Sequence, residues 1–251
     1  MIINIIKNGV EMKKSLMLIA AFILAFGPVA RSYADWKSYA WTYNYQTMRK
    51  DTAEIEYYLT EEQAKIDDSS QSIWKHQLEL EYGVTDNLDI SMYQMFIQSN
   101  TAEANKFEYD GFKLRTRYRF LEKNELPVDT LLYLEYIRND NLEKPNVLEG
   151  KLVLAKDIAK FNVAYNQVIK QELESGGKTE HAFAAGISYH IIPQLRIGIE
   201  SKGSYTDAKY YAGPTISWAT RKKFFATIGA LGGLNGKSDD LQTRMIMGIL
   251  F

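Results

Sequence analysis

Phe112-Lys113-Leu114-Arg115-Thr116-Arg117-Tyr118-Arg119-Phe120 alternates, residue by residue, between an apolar or hydroxyl side chain and a base. Successive side chains of an extended chain point to opposite faces. Phe112, Leu114, Thr116, Tyr118 and Phe120 therefore share one face, and the four bases share the other. A helix would scatter those bases around its circumference, and a water-soluble sandwich would need a second sheet to cover the aromatic face. A sheet closed into a barrel within lipid needs no such cover.

Outward from this stretch the same rhythm recurs from Asp35 to Phe251, in segments of about ten residues separated by polar turns, as in a transmembrane barrel. Strands are expected near 38–47, 51–60, 72–83, 87–98, 109–121, 129–138, 147–156, 161–171, 180–190, 195–203, 209–219, 223–232 and 241–251. Short connections such as Val84-Thr85-Asp86 and Thr220-Arg221-Lys222 alternate with longer, more charged ones such as Glu61 to Gln71 and Asn139 to Asn146. Short turns on the periplasmic side and longer loops outside orient the chain. Thirteen segments conflict with the even strand number of single-chain bacterial barrels. The preferred repair keeps twelve wall strands and makes residues 36–47, with Trp36, Tyr39, Trp41, Tyr43 and Tyr45, an irregular segment that enters the lumen. The alternative is a missed or split strand, giving fourteen.

Residues 1–34 have the three parts of a secretory signal peptide: Met12-Lys13-Lys14, the apolar run Leu16 to Phe26, and Ser32 and Ala34 placed for cleavage before Asp35. Eleven apolar residues are too few to cross roughly 30 Å of hydrocarbon as a helix. Residues 1–11 lie upstream of a better start at Met12. Export by the Sec route and a single barrel domain over 35–251 are the expectation. Removing residues 1–34 takes four bases and one acid from totals of 30 and 31, leaving 26 against 30 and a net charge of −4. That is no nucleic-acid footprint. The absence of Cys removes a disulfide framework and a thiolate metal site. Seventeen Tyr, eleven Phe and four Trp suit interfacial aromatic girdles.

The last segment, Leu241 to Phe251, resembles the C-terminal strand by which Gram-negative outer-membrane proteins are recognised for assembly. It carries a polar residue at Arg244 and apolar residues at the third-last and last positions, Ile249 and Phe251. The glycine usual two residues after the polar one is replaced by Ile246. The strand, turn, strand unit around Gly83-Val84-Thr85-Asp86 is similar to that of outer-membrane barrels of the porin and transporter type. The resemblance implies an outer-membrane address, lipid and the barrel assembly machinery as partners, and no cofactor.

Function has to come from the inner face. Glu54 and Glu56 stand on one segment, Glu79 and Glu81 on the next, and Lys113, Arg115, Arg117 and Arg119 two segments further round. An acidic wall facing a basic wall across water would pass small hydrophilic solutes or ions through a charged constriction. The same groups paired into a salt-bridged network would make a closed, structural or adhesin-like barrel.

An outer-membrane hydrolase is the third class. Of the three His, His76 falls on the lipid side and His190 at a turn. Only His181 is placed to approach loop acids such as Asp67-Asp68 or Asp239-Asp240, and no His-x-Ser pair accompanies it. Three scattered His give no metal-ligand spacing. Glycines and alanines in the 182–186 and 226–233 segments are expected to curve the wall or admit a neighbouring side chain or lipid.

Overall fold

The computed structural model describes residues 36–251 apart from 69, 71, 101–104 and 221–222. The expected leader, with Ser32, Ala34 and Asp35, lies outside the described residues.

Twelve strands follow one another along the chain: β1 (Ala53–Gln63), β2 (Ser72–Thr85), β3 (Leu88–Asn100), β4 (Asn105–Arg119), β5 (Asp129–Asn139), β6 (Val147–Ile158), β7 (Phe161–Glu172), β8 (Thr179–Ile192), β9 (Leu195–Ser204), β10 (Lys209–Ala219), β11 (Phe224–Gly233) and β12 (Leu241–Leu250). Each pairs antiparallel with the next. β1 also pairs with β12, with Tyr57 opposite Met247, so the sheet closes into an up-and-down transmembrane barrel. β4 begins at Asn105, four residues earlier than its pattern suggests.

Residues 36–52 form no strand, although Tyr39, Trp41, Tyr43 and Tyr45 alternate with the small residues Ala40, Thr42 and Asn44 as in a strand. Topology decides against pairing. When every neighbour is antiparallel, only an even number of strands lets the first and last meet antiparallel, and β1 already occupies the edge of β12.

Alternation sorts the side chains as the period of two requires. Ile90, Leu114, Leu134, Ile187, Ile199 and Ile228 are exposed on the outer face, an apolar belt that hydrocarbon covers and water would not tolerate. Aromatic pairs mark its two rims. Tyr118–Phe120, Phe161–Tyr189 and Trp218–Phe224 lie toward the short-turn end, and Phe96–Phe107 and Phe183–Tyr205 toward the long-loop end. Such girdles sit where hydrocarbon gives way to headgroups.

Candidate functional site: the divided lumen

The inner face has two unlike halves. On β1 to β6 it is crowded with charge. Glu54, Glu56, Glu79, Glu81, Asp89, Arg115 and Arg117 are all buried. Arg115 donates at 2.5 Å to Glu81 and at 2.5 Å to the hydroxyl of Tyr93, and its Nη2 lies 2.8 Å from Glu79. Arg117 pairs with Glu81 and donates to both oxygens of Asp89, at 3.0 Å from Nε and 2.8 Å from Nη2. Lys113 meets Glu135 at 3.2 Å, and Lys151 meets Glu149 at 2.7 Å.

Acids and bases therefore do not confront one another across an open bore. Strands lie about 4.8 Å apart, so β2 and β4 are separated by only about 10 Å, and an arginine side chain reaches across β3. The network runs along the wall and packs the middle of its half of the lumen, between the two cavities described below. Glu54 lies against Gly248 of β12. Arg119 belongs to the rim, where it donates to Thr47 at 2.8 Å and to the carbonyl of Asp86 at 2.7 Å.

On β7 to β12 much of the inner face is small. Ala164, Ala184, Gly186, Ser188, Ser217 and Gly229 point inward there. Into this hollow runs the chain from Trp36 to Met48, a plug whose backbone is held by side chains of the wall. The carboxylate of Glu200 accepts three consecutive backbone N–H groups, from Ala40 at 2.6 Å, Trp41 at 2.8 Å and Thr42 at 3.0 Å. Asn166 accepts from the N–H of Tyr43 at 2.6 Å and donates to its carbonyl at 2.9 Å.

Two glycines act as seats. A Cβ on Gly186 would lie 2.5 Å from the ring of Tyr39, and one on Gly229 would lie 2.6 Å from the ring of Trp41. Of the roles expected of these small residues, Gly186 and Gly229 take that of admitting a neighbouring side chain: each receives an aromatic ring from inside. Trp36 donates to Ser217 at 2.5 Å and lies under the guanidinium of Arg196, 3.9 Å from its centroid.

Lys37 crosses to the charged half, where it pairs with Glu56 and donates to Tyr58 at 2.7 Å. Glu56, Glu79 and Glu81 bring carboxylate oxygens within 4.8 Å of one another. Lys37 and Arg115 supply the positive charge that such a cluster requires. The plug leaves the lumen at Met48, whose N–H donates to Asp89 at 3.0 Å, and turns into β1 through Asp51, whose φ is 58°.

The plug divides the interior. A cavity of about 600 Å³ opens beside Tyr45, Thr47, Arg119 and Arg196 at the short-turn end. Another of about 410 Å³ opens beside Trp41, Lys151, Lys202 and Arg244 at the long-loop end. The void beside Lys37, Tyr39 and Arg117 is about 40 Å³, room for a water or two and no solute.

The histidines do not converge on the mouth. His181 lies on the outward side of β8 and is exposed, so it cannot meet the loop acids from inside. His76 bonds Tyr57 at 2.6 Å, and the ring of His190 packs 5.7 Å from that of Trp36.

No protein-family model and no curated protein matches the chain. Solved structures do. The KdgM porin, in complex with disordered oligogalacturonate, is 12% identical, with a TM-score of 0.56 over 79% of this chain and 98% of that one. An outer membrane channel from Pseudomonas putida F1 is 10% identical, with a TM-score of 0.57 over 83% and 98%. The NanC porin is 10% identical, with a TM-score of 0.51 over 79% and 98%. The fold is that of the outer-membrane porins.

Arg244, expected as part of an assembly signal, points into the lumen, donating to Thr60 at 2.9 Å and to the carbonyl of Ala40 at 3.2 Å. Ile249 is exposed on the outer face, and Phe251 follows the end of β12. Glu200, Asn166 and Lys202 were not singled out from sequence. The available signal was parity: Glu200 is a lone carboxylate on the inward side of a strand, between Ile199 and Ser201.

Proposed function

We propose that this protein is an outer-membrane channel for small hydrophilic solutes, closed by its own N-terminal segment. The plug crosses the lumen without joining the sheet, and the carboxylate of Glu200 holds three of its N–H groups. That latch carries the reading. A segment held by side chains leaves the wall's ladder intact when it withdraws, and the hollow along β7 to β12 then becomes the bore. The porin fold of the similar structures supports a passive channel rather than an enzyme.

The same reading covers the route to the membrane. Residues 1–34 act as a Sec leader cleaved after Ala34, and Arg244, Ile249 and Phe251 take part in recognition by the assembly machinery of a Gram-negative outer membrane. The buried network of Glu79, Glu81, Arg115 and Arg117 stiffens one side of the bore, and solute passes on the other.

Planar-bilayer recording tests this. Wild-type protein is expected to give discrete conductance steps. Hydrogen bonds to a charged group contribute about 1.5–3 kcal/mol each, so Glu200→Ala should raise the open fraction at least about tenfold. Silence from both proteins, with the barrel shown to be folded by its β-sheet circular dichroism, would leave the closed structural reading in its place.

A further inference from the structure

The cavity at the long-loop end is lined by six acids and six bases, but they are unevenly paired, because Lys75 and Lys178 from outside the lining meet two of the acids. Each of its carboxylates already has a basic partner. Glu62 meets Lys75 at 2.7 Å, Glu135 meets Lys113 at 3.2 Å, and Glu149 meets Lys151 at 2.7 Å. Glu180 lies 3.5 Å from Lys170, Asp207 lies 2.6 Å from Lys178, and Asp239 lies 3.7 Å from Lys209. Glu200, two residues before Lys202 on β9, has both oxygens committed to the plug.

Two cations remain. Among the described residues neither Lys202 nor Arg244 has a carboxylate within ion-pair distance. Both sit instead about Trp41, with Lys202 5.3 Å and Arg244 5.2 Å from its ring centroid. Lys202 is also 5.3 Å from the ring of Tyr211. The indole N–H of Trp41, on a residue only 8% exposed, has no acceptor. Arg244 spends one N–H on Thr60 and one on the carbonyl of Ala40, which leaves donors over. Cations over aromatic faces gain some electrostatic relief, yet two like charges beside a donor lacking an acceptor make a cradle that an anion satisfies more fully than water does, since it supplies both the acceptor and the missing negative charge.

We propose that Lys202, Arg244 and Trp41 form an oxyanion-binding site at the floor of the outer cavity, taking the carboxylate, sulfate or phosphate group of a solute that enters from the long-loop side. The site deepens the channel reading by naming the charge of the solute. It requires access to the cavity, and it does not require the plug to move. One of its three members belongs to the plug and two belong to the wall, so occupancy bears on the contact between them.

The experiment is calorimetric titration of the full-length barrel in detergent with four probes: D-galacturonate, sodium sulfate, inorganic phosphate and neutral D-galactose. Saturable binding by at least one anion and none by galactose is expected, and the tightest anion identifies the group that the site prefers. Lys202→Met should weaken that binding at least tenfold, Lys202→Arg should retain it, and Trp41→Phe should weaken it by a smaller factor. Arg244 lies on the last strand, so Arg244→Met is scored only on protein shown to be folded. Binding of no anion by wild type, equal binding of galactose, or an unchanged Lys202→Met would each overturn the site. A barrel that conducts without binding an anion sinks this inference alone, and one that binds without conducting sinks only the channel reading.

Discussion

The two halves of the lumen fill the same kind of space by opposite means. β1 to β6 fill their side with long charged side chains that neutralise one another, as Arg115 does between Glu79 and Glu81. β7 to β12 present small side chains and borrow bulk from the N-terminal segment, with Tyr39 against Gly186 and Trp41 against Gly229. A network built from the wall cannot leave without breaking the wall, whereas a borrowed segment can. If the plug is the gate proposed above, the difference separates what holds the barrel together from what opens it.

Breaking the charged half should have the largest effect. Arg115→Met leaves Glu79 and Glu81 buried beside less positive charge, which costs about 3–5 kcal/mol. Denaturant unfolding of the refolded barrel in lipid should show that loss, while an unchanged midpoint would mean that the network is solvated.

Lys37→Met cuts the contact that joins plug to charged half, a hydrogen-bonded pair of the type worth about 1.5–3 kcal/mol. It also leaves Glu56 buried without its cation, so it should raise the open fraction in bilayer recording and lower the unfolding midpoint, though less than Arg115→Met, which strips two carboxylates at once. Gly229→Val sharpens the contrast from the other side. The new side chain has to displace the ring of Trp41, an overpacking cost of about 1–3 kcal/mol. The expected readout is a larger open fraction and a changed tryptophan emission that is absent when the same substitution is made in a Trp41→Phe background, with the barrel's unfolding midpoint within error of wild type.

The smallest effect belongs to charges outside both halves. Lys178 donates to Asp207 at 2.6 Å at the exposed long-loop end and holds that carboxyl below its ordinary pKa. Whatever stability this pair adds is complete above the ordinary carboxylate pKa, about 3.9, and is lost as pH falls through the lower folded value. Exposed pairs of this kind contribute little, so Asp207→Asn should unfold at the wild-type midpoint at pH 7.

Much of the wall was legible in the chain, because a period of two assigns every residue to a face once one strand is fixed. Phe112 to Phe120 fixed it, and the inward sides of β1, β2 and β4 followed. Parity also drew attention to residues 36–47, since thirteen alternating segments cannot close antiparallel. Partnership was not legible. Alternation says that Arg115 and Glu79 point inward, but not that a side chain on β4 lies across β3 onto β2. Glu200 escaped notice for a similar reason. One carboxylate among small residues carries no motif, and its role depends on a segment some 160 positions earlier in sequence reaching the same place.

The tight turn that joins the plug to β1 has a consequence for the order of assembly. The segment is tethered to the first strand, yet Asn166, Gly186, Glu200 and Gly229 all stand on strands made later, so its seat does not exist until β7 to β11 have paired. The plug, first to be made, is therefore among the last parts to find its place: its docking waits on strands that the chain supplies more than a hundred residues later.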